Sequence, residues 1–231
     1  MSVLVASPFA RAVLRHAPGR RVALAWGDAP AASALLLRCL AAGAAAARIV
    51  APVMPPQPDA ALRDAAERTG LREEAEALLA AMPCGRPSLI LHHADTARPP
   101  AWWLHADPAS FDIRALLGPV DLLADPAALS DPEPARRLRD LRRTGAARLV
   151  LATPVADPGA LPGFTADSLW HLPSLDAARR AAIAAWLGRE PAAWRWLPGA
   201  AALERLLAEE GWRLRALDDA GPDAVLVADA A

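Results

Sequence analysis

The stretch Trp212–Ala228, WRLRALDDAGPDAVLVA, decides the architecture. Trp212 to Leu217 and Ala224 to Ala228 have the composition of strands, and only Asp218 to Asp223 separates them. A link that short cannot carry the chain back across a sheet, so the two strands form a hairpin and the sheet ends in an antiparallel pair. Immediately upstream, Gly199 to Glu210 is a helix closed by Gly211, and Leu175 to Leu187 is an Ala-rich helix. Further back, the charged helix Pro132 to Thr144 closes at Gly145 and leads into Arg148–Thr153, RLVLAT, a strand suited to burial.

The N-terminal half alternates regularly. Strand-like runs at Arg21–Trp26 (RVALAW), Ala47–Met54, Ser88–His92 (SLILH) and Val120–Ala124 interleave with helical stretches. Those helices are Pro8–Ala17 with Ser7 as cap, Ala31–Ala42 ended by Gly43, Asp59–Met82 with an interruption at Gly70, and Asp107–Leu117. This order implies parallel strands, because parallel neighbours need crossover connections, with helices on both faces of the sheet. The expected organisation is one domain over residues 1–231, with a helical lead-in at 1–20 and an inserted helical cover segment at 160–198.

Composition narrows the function classes. Hydrophobic residues make up 54% and charged residues 22%, the balance of a chain with a core. A net charge of −1 gives no pull toward nucleic acid or an anionic membrane. All 25 basic residues are Arg, so no lysine chemistry is available. Lys, Asn and Tyr are absent and Gln57 is the sole Gln, a bias that fits a GC-rich bacterial genome. Cys39 and Cys84 can make neither a disulfide framework nor a four-thiolate zinc site, and Cys39 is expected to pack as a small hydrophobe. Arg11 and Arg15 interrupt the N-terminus too early for a signal peptide, and the apolar stretch Ala29–Ala47 carries Arg38. The expectation is a cytoplasmic protein with no membrane and no nucleic-acid partner. Neither a Gly-X-Ser-X-Gly turn nor a Lys-bearing phosphate loop is present, so hydrolase and nucleoside-triphosphatase readings have no support.

The C-terminal half carries a family resemblance. "PEPARRLRDLRRTGAARLVLATPV" resembles the helix and fifth strand of class I S-adenosylmethionine-dependent methyltransferases, and "WLPGAAALERLLAEEGWRLRAL" with "DAVLVADA" is similar to their final helix and terminal strand pair. Upstream, "SLILHHADTARPP" looks like their third strand and acidic loop. The resemblance spans roughly Arg20 to Ala230 and implies a Rossmann-like three-layer sandwich, a mostly parallel sheet of about seven strands with a C-terminal antiparallel hairpin. It also implies S-adenosylmethionine as cofactor and a small-molecule methyl acceptor. Trp26, Gly27, Asp28, Asp95 and Thr96 would be cofactor neighbours, with Asp95 beside the adenine and His93 or His105 as acceptor-side base.

The first strand-to-helix turn departs from the family pattern. It reads Ala23-Leu24-Ala25-Trp26-Gly27-Asp28-Ala29. Gly27 matches the central glycine, but Ala23 stands where the family has an acid, and Ala25 and Ala29 stand at its flanking glycines. A methyl group there opposes close approach of backbone and ligand. The ribose-binding acid should fall between Val50 and Met54, a stretch without a carboxylate until Asp59. Two rivals follow. In one, the fold is retained and the chain serves as a non-catalytic partner or scaffold subunit. In the other it is an NADP-dependent oxidoreductase, with Arg48, near the end of the second strand, facing the 2′-phosphate.

Three further constellations have two readings each. His92, His93, Asp95, His105 and Asp107, interleaved with Trp102 and Trp103, offer metal-ligand chemistry. Adjacent strand residues point to opposite faces, so substrate contact fits His93 or His105 better than metal ligation does, and no metal is expected. Asp125-Pro126 matches the first half of the Asp-Pro-Pro-aromatic motif of amino methyltransferases, but Ala127-Ala128 follows, and the pair also reads as an ordinary turn. Trp170, Trp186, Trp194 and Trp196 could line an apolar or aromatic acceptor pocket, or could pack an inserted helix onto the sheet or form the contact of a homodimer.

Overall fold

The computed structural model describes residues 7–25, 29–51, 58–73, 75–76, 103–105, 119–191, 194–218 and 221–231. By its internal contacts the chain parts into two compact units: Met1–Ala124 with Arg143–Ala147, and Asp125–Arg142 with Arg148–Ala231.

The first unit begins at α1 (Pro8–His16). Ser7 caps it by accepting the Ala10 N–H on its hydroxyl at 3.2 Å, and Phe9, Ala10, Ala12 and Val13 form its buried stripe. Arg15 and His16 in the last turn complement the helix dipole. Then follow β1 (Arg21–Ala25), α2 (Ala29–Ala41), β2 (Ala46–Ala51), α3 (Pro58–Thr69), β3 (Trp103–His105) and β4 (Leu122–Asp125). The strands run parallel in the order β3-β2-β1-β4. At the amino end of β1, Arg21 fixes its register against the start of β4. Its Nε and Nη2 reach Asp121 Oδ2 and Oδ1 at 2.9 and 2.6 Å, and the Arg21 N–H donates to Oδ2 at 2.9 Å.

Helix α2 is apolar nearly all round, with Ala31, Ala32, Ala34, Leu35, Leu36 and Leu37 buried where it packs against α1, α3 and β2. Cys39 is fully buried on it, and desolvation pushes its thiol up to about 12, so it is the inert packing group expected. Helix α3 stops at Thr69, and Gly70 takes φ +74°, the left-handed conformation that ends a helix. The predicted helix Asp59–Met82 is therefore broken where expected; its residues beyond 76 lie outside the described residues. So do the predicted strand Ser88–His92 and helix Asp107–Leu117. The strand beside β2 is Trp103–His105, which the periodicity did not indicate.

The second unit contains α4 (Pro134–Arg143, whose last residue belongs to the first unit), β5 (Arg148–Ala152), β6 (Leu169–His171), α5 (Ala177–Leu187), β7 (Trp196–Pro198), α6 (Ala200–Glu209), β8 (Trp212–Asp218) and β9 (Val225–Ala230). Strand β9 lies antiparallel between β5 and β8, so the predicted terminal hairpin is present. Trp212 anchors it. Its ring is fully buried, its indole N–H donates to the Leu138 carbonyl at 3.1 Å, and the Arg142 guanidinium stands 5.6 Å from the ring centroid. Arg139 makes a two-pronged ion pair, 2.8 Å on each arm, with the buried carboxylate of Glu210 at the end of α6.

Between β5 and α6 lies a feature that the sequence did not predict. Strands β6 and β7 pair as a separate antiparallel ribbon. Helix α5 starts one residue later than its Asp176 cap, whose carboxylate accepts the Arg179 N–H at 2.8 Å. The class is mixed α/β, with mainly parallel strands, an antiparallel C-terminal pair and flanking helices. Among the described residues no helix is long and apolar enough to cross a membrane.

Candidate functional site

The parallel strands of the first unit end together. Ala25 of β1 lies beside Val50, Ala51 of β2 beside His105, and Leu24 beside Ala124 of β4. One carboxyl edge therefore gathers the chain exits from all four strands, the edge at which open α/β sheets bind ligands. Strand β1 ends at Ala25, and α2 begins at Ala29.

His105 is the one predicted site residue whose backbone is described, and it ends β3 at this edge. Trp26, Gly27, Asp28, His93, Asp95 and Thr96 lie outside the described residues, as do His92 and Asp107 of the histidine cluster. Among the described residues no three His, Cys, Asp or Glu side chains are grouped to hold a metal ion.

The flanking residues show what the alanine substitutions do. Ala23 is fully buried in mid-strand, with Leu123 and Arg48 as its register partners, and Ala25 is buried at the strand end. Neither strand end described here offers a carboxylate: β1 ends in Ala25, β2 in Val50 and Ala51. Among the described residues of this unit, one buried side-chain polar atom is open. Ser33, early in α2, is fully buried and its hydroxyl has no hydrogen-bond partner. An orphaned hydroxyl costs about 1–3 kcal/mol, which a ligand atom or a water could offset. The described ends of β1 and β2 thus lack the acidic anchors that the resemblance implies for S-adenosylmethionine.

Arg48, the residue of the oxidoreductase reading, lies in β2. It is the third residue of a six-residue strand, set back from the carboxyl edge, buried, and already engaged within the fold.

Asp125, the last residue of β4, belongs by its partners to the second unit. It is fully buried. Its Oδ2 takes Arg137 Nε at 3.0 Å and Nη2 at 2.8 Å, and its Oδ1 accepts the Ala127 N–H at 2.8 Å. The Asp125 charge in turn raises the Arg137 guanidinium above its ordinary value. This is the ordinary-turn reading of Asp125-Pro126, with an ion pair added: both carboxylate oxygens are used, so the group holds the turn after β4.

The tryptophans are also resolved in part. Trp170, Trp186 and Trp194 pack against a cluster of Ala156, Leu161, Phe164, Leu172, Ile183, Leu187 and Leu197. Phe164 meets Trp170 edge-on, with centroids 4.9 Å apart. Trp196 tilts against His171 and donates its indole N–H to the Asp131 carbonyl at 3.1 Å. Sequence spacing did not signal that bond.

No protein-family model matches the chain, and no curated protein matches it in sequence. Solved structures do match its fold. A possible exported protein from Bordetella parapertussis aligns over 96% of this chain and 65% of its own, at 20% identity and a TM-score of 0.55. The 1,6-didemethyltoxoflavin-N1-methyltransferase of Burkholderia thailandensis, with bound 1,6-didemethyltoxoflavin and S-adenosylhomocysteine, aligns over 99% of this chain and 81% of its own, at 12% identity and a TM-score of 0.54. An O-methyltransferase family 2 protein from Planctomyces limnophilus, in complex with apigenin, aligns over 96% and 57%, at 11% identity and a TM-score of 0.54. The chain thus spans just under two thirds of the Bordetella protein and little more than half of the Planctomyces one. It has the fold of the class I methyltransferases.

Proposed function

We propose that the protein is a divergent S-adenosylmethionine-dependent methyltransferase acting on a small molecule, with an altered cofactor turn. The observation that carries this reading is the shared carboxyl edge of β1–β4, on a fold whose solved relatives include a methyltransferase holding S-adenosylhomocysteine and its small-molecule ligand. In this reading the turn Trp26-Gly27-Asp28 meets the cofactor, Asp95 and Thr96 complete its surroundings, and His93 or His105 holds the acceptor's proton. His105 is the better supported of the two, because β3 ends with it at the edge. Methyl transfer relies mainly on positioning and exclusion of water, so it tolerates a site with few diagnostic residues. A cytoplasmic location belongs to the same reading.

One observation favours a second reading. Ala23 and Ala25 put buried methyl groups where the family has an acid and a glycine, as expected of a non-catalytic subunit that has kept the fold. A thermal-shift and calorimetric titration with S-adenosylmethionine, S-adenosylhomocysteine and NADPH separates the readings. Binding by either sulfur ligand stabilises the native state, by about 2.7 kcal/mol at a hundred times Kd. No heat and no shift at millimolar concentration overturns the methyltransferase reading and leaves the partner role. Stabilisation by NADPH alone would revive the oxidoreductase.

A further inference from the structure

We propose that residues 156–198 form an inserted module that opens as a body while β5, β8 and β9 stay paired, and that the Trp196–Asp131 hydrogen bond is its latch. Three observations carry this. First, the module has its own core. Every buried member of the cluster that includes Phe164, Ile183 and Leu197 comes from within it, and so do Trp170, Trp186 and Trp194 packed around them. A segment that buries its own apolar side chains loses little of that burial when it moves.

Second, its two ends are clipped together. The Ala156 N–H donates to the Pro198 carbonyl at 3.2 Å, and beside it the module joins α6, where the Gly199 N–H donates to the Ser168 carbonyl at 2.8 Å and the Ala202 N–H to the Ala166 carbonyl at 3.0 Å. Strands β6 and β7 pair with each other, not with the main strands of the unit. Adjacent ends are the signature of an insertion that can hinge, here beside the Val155–Gly221 bridge.

Third, away from that junction with α6 the hydrogen bonds to the rest of the unit are made at Arg189, Trp196 and Asp167, the last an exposed and therefore weak pair with Arg205 at 3.1 Å. Arg189 reaches Asp223 at 2.7 Å and the Pro222 carbonyl at 3.3 Å, but that pair is exposed and therefore weak. Trp196 is different. Its ring is braced by His171 across the ribbon, and its partner belongs to a fixed turn, since Asp131 also accepts the Glu133 N–H at 2.8 Å. That turn follows directly from β4 through Asp125 and the short helical turn Ala128–Ser130. Opening the module therefore uncovers the segment after β4, whatever ligand the protein binds. The inference does not rest on the cofactor.

Native-state hydrogen exchange followed by mass spectrometry on the full chain tests it. In the unmodified protein, peptides from β6, α5 and β7 should exchange faster than those from β5 and β9, with a shallower denaturant dependence. Trp196→Phe keeps the ring and removes the N–H, and should speed exchange across the module by about five-fold, leaving β5 and β9 unchanged. Arg189→Ala should change little. If module and strand amides exchange at one rate in the unmodified protein, the module does not open separately and the proposal falls. It falls equally if Trp196→Phe leaves the module unchanged, and a larger effect from Arg189→Ala would move the latch to the hairpin.

Discussion

Gly199 shows how tightly one position can hold a junction. It caps α6, and a Cβ built on it would meet the carbonyl oxygens of Ala166 and Thr165 at 2.4 and 2.5 Å. Those atoms are backbone, and Ala166 is also tied by the Ala202 N–H at 3.0 Å, so they cannot give way cheaply. Gly199→Ala should destabilise the protein by about 1–3 kcal/mol, the cost of overpacking a filled site. Chemical denaturation would measure it, and an unchanged midpoint would show that the 165–168 turn can move. Single residues also mark where sequence reading stops. The substitutions at Ala23, Ala25 and Ala29 were visible as departures from a pattern, and Asp125 was read correctly as a turn former. The pairing of Asp125 with Arg137 was not visible, because twelve residues of separation carry no contact information unless the helix geometry between them is known.

At the scale of elements, legibility followed length. Helices α1, α2, α4 and α6 were found from caps, apolar periodicity and closing glycines, and β1, β5 and the terminal hairpin from strand composition. The β6–β7 ribbon was not found. Each of its strands has three residues, too few to show a two-residue period, and Pro198 lies at a strand end. The β1–β4 junction yields a pH-dependent prediction. Asp121 is held below the usual carboxylate range, chiefly by the Arg21 side-chain hydrogen bonds. A carboxyl with a lowered folded value adds stability above the ordinary carboxylate range, and loses it as pH falls through the lowered value. Asp121→Asn should therefore lower Tm at neutral pH and converge on the parent protein in acid. The gap should be small, since both side chains are partly exposed at 42% and 31%. Parallel Tm-against-pH curves with a constant offset would show that the ion pair contributes nothing through its charge.

For the whole molecule, the path of the chain bears on how it unfolds. Neither compact unit is a continuous stretch. The first is completed by Arg143–Ala147, which the chain reaches only after building α4 in the second. Helix α4 itself ends across that division, with Arg142 in one unit and Arg143 in the other. Its carbonyl at Leu138 receives Trp212, Arg139 holds Glu210, and Arg142 donates to the Gly211 carbonyl at 3.1 Å. Melting the second unit would thus unwind the helix that delivers the last segment of the first. A helix propagates order along its length, so its two ends do not melt independently. Scanning calorimetry should show one transition with equal calorimetric and van't Hoff enthalpies, even though the 156–198 module opens locally below it. Trp212→Phe, which removes the indole N–H donated to the Leu138 carbonyl and leaves part of a buried ring site unfilled, should shift that single peak downward by about 1–3 kcal/mol of stability without splitting it. Two resolved peaks, or a variant that moves only one of them, would mean that the units unfold independently and that the crossings at α4 couple nothing.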